Sequence, residues 1–122
     1  MNKPGSKGEH DLQKKLNTEK RALAFYNSQF LNHLNPEMSQ FIAEQEMVFI
    51  STSDSEGQCD ASFRAGPAGF VATLDEKTLL FPEYRGNGVL ASMGNISENP
   101  HIGMLFVDFY QSSIGLHVNG KA

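Results

Sequence analysis

The sequence predicts a mainly β protein, a small closed or nearly closed antiparallel barrel with helical cover, and three observations predict it. Six short runs rich in β-branched and aromatic residues follow one another from residue 46 onward, separated by turn-forming clusters at hairpin spacing. One helix-like segment, residues 89–98, stands between the fourth and fifth runs. Helix formers dominate everything before the first run. A two-layer α+β sandwich meets the same pattern of elements.

Each element has its own signal. Between Asp11 and about Phe30, Leu12, Leu16, Leu23, Tyr26 and Phe30 recur at helical spacing with Phe25 at the margin, which predicts one broken helix or two short ones. Thr18 lacks the acidic partner of a capping box, although Glu19 suits a first turn. Asn35-Pro36-Glu37 is a clearer start: Asn can cap, Pro fits the first helical position, and Met38, Phe41 and Ile42 form a stripe that runs to about Gln45. Residues 1–45 are therefore expected to form an N-terminal helical segment and 46–122 the barrel domain.

β character begins at Glu46. Met47 to Thr52 reads as the first arm of a hairpin, Asp54-Ser55-Glu56-Gly57 as its turn, and Gln58 to Ala65 as the second arm. That second arm alternates strictly, with Cys59, Ala61, Phe63 and Ala65 on an apolar face and Asp60, Ser62 and Arg64 on a polar one. Gly66-Pro67-Ala68-Gly69 breaks the strand. Phe70–Leu74 and Thr78–Phe81 flank the turn Asp75-Glu76-Lys77, and Glu83 to Gly88 is a loop. Val89 to about Glu98 is expected to be a helix presenting Leu90, Met93 and Ile96, ending before Asn99-Pro100. His101–Phe109 and Ile114–Asn119 are the last two strands.

A chain of 122 residues suffices for one domain, and 39% hydrophobic with 20% charged residues lies in the ordinary globular range. The net charge of −4 argues against binding a nucleic-acid backbone. Seven of the ten basic residues, Lys3, Lys7, Lys14, Lys15, Lys20, Arg21 and Lys121, lie near the chain ends, away from the barrel face. The single cysteine, Cys59, closes no disulfide and is expected to be a small core filler on the apolar face of its strand, which suits a reducing compartment. No run of about 18 apolar residues is present, so no membrane span is expected. The chain reads as soluble and cytoplasmic, with a flexible start.

Two constellations carry chemistry. Asp60-x-Ser62-x-Arg64 sets a carboxylate, a hydroxyl and a guanidinium on one face, and Arg with Ser is a donor set that matches phosphate oxygens. Gly66 follows, where backbone can come close to a ligand. A solvent-facing strand, with Asp60 and Arg64 partly paired, fits the same residues. The second constellation is Arg85-Gly86-Asn87-Gly88 ahead of a helix with Ser92 in its first turn. Backbone N–H groups there favour anions, and Asn87 can cap the helix or donate to a ligand. The four histidines show no metal-like spacing; His101 and His117 fall on adjacent expected strands and could meet. No acid, base or nucleophile stands out, which assigns the chemistry to a cofactor.

The ordered blocks Glu46-Met47-Val48-Phe49-Ile50, Cys59 to Val71, Pro82 to Gly88, Asn95 to Pro100 and Leu105 to Phe109, closing with His117 to Ala122, resemble the FMN-binding split barrel of pyridoxamine 5′-phosphate oxidase-like proteins. The resemblance covers about Phe30 to the last residue. It implies an antiparallel split β-barrel with N-terminal helices and one inserted helix, and a homodimer with FMN at the interface. It places the phosphate between the Ser62/Arg64 strand and the Asn87-Gly88 to Ser92 segment, with Gly66 beside it. Deazaflavin and haem are the alternative ligands. The implied function is a flavin-dependent oxidoreductase; the alternative is a non-catalytic flavin, deazaflavin or haem binding or sensing protein. The vitamin-converting enzymes of that family carry a basic cluster where this loop reads Asn87 to Ser92, which argues against pyridoxamine phosphate as substrate. Members usually continue beyond the strand that ends here, so a truncated barrel is expected. A homodimer is expected on physical grounds too, because short strands leave unpaired edges and Phe106 and Phe109 would need cover.

Overall fold

The computed structural model describes residues 3–122; Met1 and Asn2, part of the start expected to be flexible, lie outside the described residues. Two compact units divide the chain between His33 and Leu34.

The first unit holds two short helices, α1 (Lys7–Leu16) and α2 (Glu19–Gln29). The apolar spacing alone places the first start at Asp11, but α1 begins four residues earlier, because Ser6 caps it by accepting from the Glu9 N–H at 3.1 Å. Asn17, left-handed at φ 57°, separates the helices, and Thr18 makes no side-chain cap. Tyr26 is buried; its hydroxyl donates to Glu9 Oε2 and accepts from Gln13 Nε2, both at 2.8 Å. Leu12, Leu16, Leu23 and Phe30, the rest of the expected stripe, stay exposed.

The second unit starts with α3 (Pro36–Ala43), capped as its sequence predicts: Asn35 Oδ1 accepts from the Met38 N–H at 2.8 Å, with Pro36 next to it. Six strands follow: β1 (Met47–Ser53), β2 (Cys59–Ala65), β3 (Ala72–Asp75), β4 (Thr78–Leu80), β5 (His101–Val107) and β6 (Gly115–Lys121). α4 (Ala91–Glu98) lies between β4 and β5 in the chain. All pairs are antiparallel, in one four-stranded sheet ordered β2-β1-β5-β6 and a separate hairpin β3-β4. Among the described residues no ladder closes the two sheets into a ring, so the barrel is split rather than closed.

The turn between β1 and β2 is built by Asp54, whose Oδ1 accepts from the Glu56 and Gln58 N–H groups at 2.9 Å, and by Gly57 at φ +86°, which needs no Cβ there. It sets a register of Val48 opposite Arg64, Ile50 opposite Ser62 and Thr52 opposite Asp60. Val48, Ile50, Met104 and Phe106 point to one side of the large sheet and are buried with Ile42 of α3 and Val71. Phe70, Leu79, Phe81, Ile102, Leu116 and Val118 pack against that cluster.

This inverts two expectations. The apolar residues of β2 face away from the core: Cys59 is exposed and Phe63 is 55% exposed, whereas Asp60, Ser62 and Arg64 lie half-buried on the core side. Cys59 is thus no core filler, because strict pairing to β1 gives it the side of Ser53 and Phe63 the side of Phe49. Phe63 instead stacks on the exposed Phe49 across the strands, centroids 5.5 Å apart. Phe106 needs no outside cover, being 0% exposed, while Phe109 is 58% exposed in the β5–β6 loop. His101 sits opposite Lys121 and His117 opposite Leu105, so the two histidines do not meet.

That loop is held by one carboxylate. Asp108 accepts from the N–H groups of Tyr110, Gln111 and Ser112 and from Ser112 Oγ. The Ser112 N–H leads these bonds in lowering its pKa from 3.8 to about 2. A depressed carboxylate stabilises the fold fully above its ordinary value, and that contribution fades as pH falls from 3.8 toward about 2. Asp108→Ala should therefore unfold more readily than wild type at neutral pH and converge with it near pH 2, as read by urea unfolding across pH. In the same assay Phe106→Ala should cost about 3–5 kcal/mol at any pH, since it empties the centre of the core.

Candidate anion site on the second strand

Ser62 and Arg64 come together as their period-two spacing predicts. Arg64 Nε donates to Ser62 Oγ at 3.0 Å. The guanidinium's other engaged partner is not Asp60, the residue weighed for that place, but Glu83, whose Oε1 accepts from Arg64 Nη1. Their side chains are 20% and 23% exposed, so this ion pair is partly shielded from bulk water although Glu83 as a whole residue is exposed in its loop. Nothing in the local spacing joins residues 64 and 83, the one on an expected strand and the other in an expected loop. The one available signal was an acidic residue directly after the fourth strand and its Pro82.

Gly66 has a structural cause of its own. A Cβ built there would lie 2.8 Å from Cβ and Cγ of Phe70, so the close neighbour is the Phe70 side chain. The Gly66 N–H donates to the Glu46 carbonyl at 3.0 Å. Packing of Phe70 is thus by itself a reason for glycine at this position.

The second constellation differs from its expected form. α4 starts at Ala91 rather than Val89, because Leu90 adopts φ 55°, ψ 40° and interrupts helical hydrogen bonding. Asn87 is consequently too early to cap it; its Oδ1 accepts from the Val89 N–H at 3.0 Å and closes a local turn. Gly86 and Gly88 hold the turn at φ +53° and +81°, where a side chain would be strained. No hydrogen bond among the described residues joins Asn87 or Gly88 to Ser62 or Arg64. Ser92 is buried in the first turn of α4.

α4 packs on the core side of β1 and β2. Asn95 Nδ2 donates to Thr52 Oγ1 at 3.0 Å, and Ser55 Oγ donates to Glu98 Oε1 at 2.9 Å. These ties bring the C-terminal end of the helix to the β1–β2 turn. A helix start and a guanidinium each favour negative charge. The arrangement can hold an oxyanion; among the described residues no group of three His, Cys, Asp or Glu is placed to hold a metal ion.

An open depression lies elsewhere on the sheet, with Ser51, Thr52, Cys59, His101, Asn119 and Lys121 in its lining, and neither Ser62 nor Arg64 lines it. No helix among the described residues is long and apolar enough to cross a membrane.

A split antiparallel barrel with a half-buried Ser–Arg pair on its second strand defines the class. Residues 34–122 match the model of the pyridoxamine 5′-phosphate oxidase family, and the chain belongs to that family. Among solved structures, HupZ of Group A Streptococcus is 25% identical with a TM-score of 0.56, over 72% of this chain and 63% of that one. A histidine-to-alanine variant of HupZ is similar at 22% identity and TM-score 0.55, over 72% and 67%. This chain thus spans less than two thirds of the first of these structures. No curated protein sequence matches it.

The packing of Gly66 gives a direct test. Gly66→Ala should destabilise the protein by about 1–3 kcal/mol through overpacking, and a second change, Phe70→Ala, should remove that extra penalty in a double-mutant cycle of urea unfolding. Additive effects would show that Phe70 does not set the requirement.

Proposed function

We propose that this chain is an FMN-binding flavoprotein, a flavin-dependent oxidoreductase that acts in the cytoplasm as a homodimer. The observation that carries the reading is the hydrogen-bonded Ser62–Arg64 pair, half-buried on the core side of β2. Membership of the pyridoxamine 5′-phosphate oxidase family supports the flavin.

The donor set fits the phosphate of FMN. The planar Arg64 guanidinium, which in the free protein donates to Ser62 and Glu83, carries five N–H donors that match phosphate oxygens, and the Ser62 hydroxyl can turn to donate a further bond. Ser92 and the N–H groups at the start of α4 would form the other wall. Bound flavin supplies electron or hydride transfer, and the protein binds and orients it while half-burial keeps water from screening the phosphate contacts. The exposed Phe49 and Phe63 on the outer sheet face support the homodimer, since a paired aromatic patch of that kind gains from cover.

Arg64→Ala should weaken FMN binding by about 30-fold or more, equivalent to roughly 2–5 kcal/mol, and leave riboflavin, which lacks the phosphate, nearly unaffected. Arg64→Lys should recover part of the loss, because it keeps the charge without the planar fork. Flavin fluorescence titration at fixed salt reads all three proteins. Equal losses for both ligands would assign Arg64 to the fold or the ring, and no loss for either would refute the phosphate site.

A further inference from the structure

Arg64 has two edges that can each grip an oxyanion with two parallel bonds, one formed by Nε and Nη2 and the other by Nη1 and Nη2. Each edge already has one donor engaged. Ser62 Oγ accepts from Nε at 3.0 Å, and Glu83 accepts from Nη1. These partners are chemically unequal toward an incoming phosphate. A hydroxyl can rotate and become a donor to it, whereas an ionised carboxylate only accepts and repels it.

Burial sharpens that inequality. With side chains 20% and 23% exposed, the Arg64–Glu83 pair is screened less than a surface pair, so a second anion at the same guanidinium feels the carboxylate at close range. The backbone around Glu83 allows its departure. Glu83 follows the end of β4 at Leu80 and precedes the left-handed Gly86 and Gly88, so a loop carries it and no ladder bond is lost when it moves.

We propose that Glu83 is a built-in counter-ion that occupies the anion position of Arg64 until a phosphate dianion displaces it. The inference rests on the phosphate reading of the site and deepens it. Resident Glu83 keeps the half-buried guanidinium paired without ligand, and it makes the site selective for doubly charged phosphate monoesters, whose stronger attraction offsets the lost pair. A singly charged oxyanion only replaces one charge with another of the same size.

The test compares wild type, Glu83→Gln and Glu83→Ala, titrated with FMN and riboflavin by fluorescence and with inorganic phosphate by thermal shift. Both variants should bind FMN and inorganic phosphate about three- to tenfold more tightly than wild type, with riboflavin unchanged. Weaker binding of both phosphate ligands would mean that Glu83 holds Arg64 in position, and would overturn the proposal; so would unchanged affinity. Should Glu83→Ala lose secondary structure by circular dichroism, Glu83→Gln, which keeps the side-chain shape, decides. If wild type holds FMN no better than riboflavin, the cofactor reading fails, while the inorganic phosphate series still decides the role of Glu83.

Discussion

The pairing of β1 with β2 governs both the core and the candidate site. Asp54 and Gly57 build the turn, and the turn sets which residues of the two strands lie opposite. Because side chains alternate, placing Val48, Ile50 and Thr52 on the core side obliges Arg64, Ser62 and Asp60 to lie there as well. A slip of one residue would send Phe63 inward and carry the guanidinium to the open face. The hydrophobic demand of β1 is the stronger one, since it supplies two of the six residues of the buried cluster while β2 supplies none.

Polar side chains on the core side of an edge strand create an obligation. A half-buried guanidinium without a partner would be costly, and two groups from different parts of the chain meet it: Ser62 on the same strand and Glu83 from the loop after β4. α4 completes the surroundings. Its ties to Thr52 and to Ser55 hold it against β1 and the β1–β2 turn.

The outer face of the large sheet shows the opposite balance. Phe49 and Phe63 stack there in view of solvent, and Ser51, Ser53, His101, Asn119 and Lys121 give its other end a polar character. The family match extends to the last residue, Ala122, and the chain spans 63% of the HupZ structure. The sheet thus has one face sealed by its own helices and hairpin and the other bearing exposed aromatic residues.

Much was legible in the residues themselves. Strand order, the hairpin at Asp54–Gly57, the cap at Asn35 and the alternation that joins Ser62 to Arg64 all follow from local rules of turn chemistry, capping and period-two geometry, which act over a few residues. Other features depended on contacts made across the chain. Apolar content suggested that Cys59 and Phe63 face inward, but the side of a strand is decided by its neighbour's register, not by its own hydropathy. The need for glycine at 66 comes from Phe70, four residues on, whose side chain packs where a Cβ would lie. The delayed start of α4 follows from the left-handed backbone of Leu90, which its residue type does not announce. Glu83 is the clearest case: residues 64 and 83 are joined only when the loop after β4 folds back onto β2. The sequence by itself determined which elements form and which side chains share a strand face. Tertiary structure alone decided which face is buried and which distant charge meets Arg64, because both are settled by packing between segments remote in sequence.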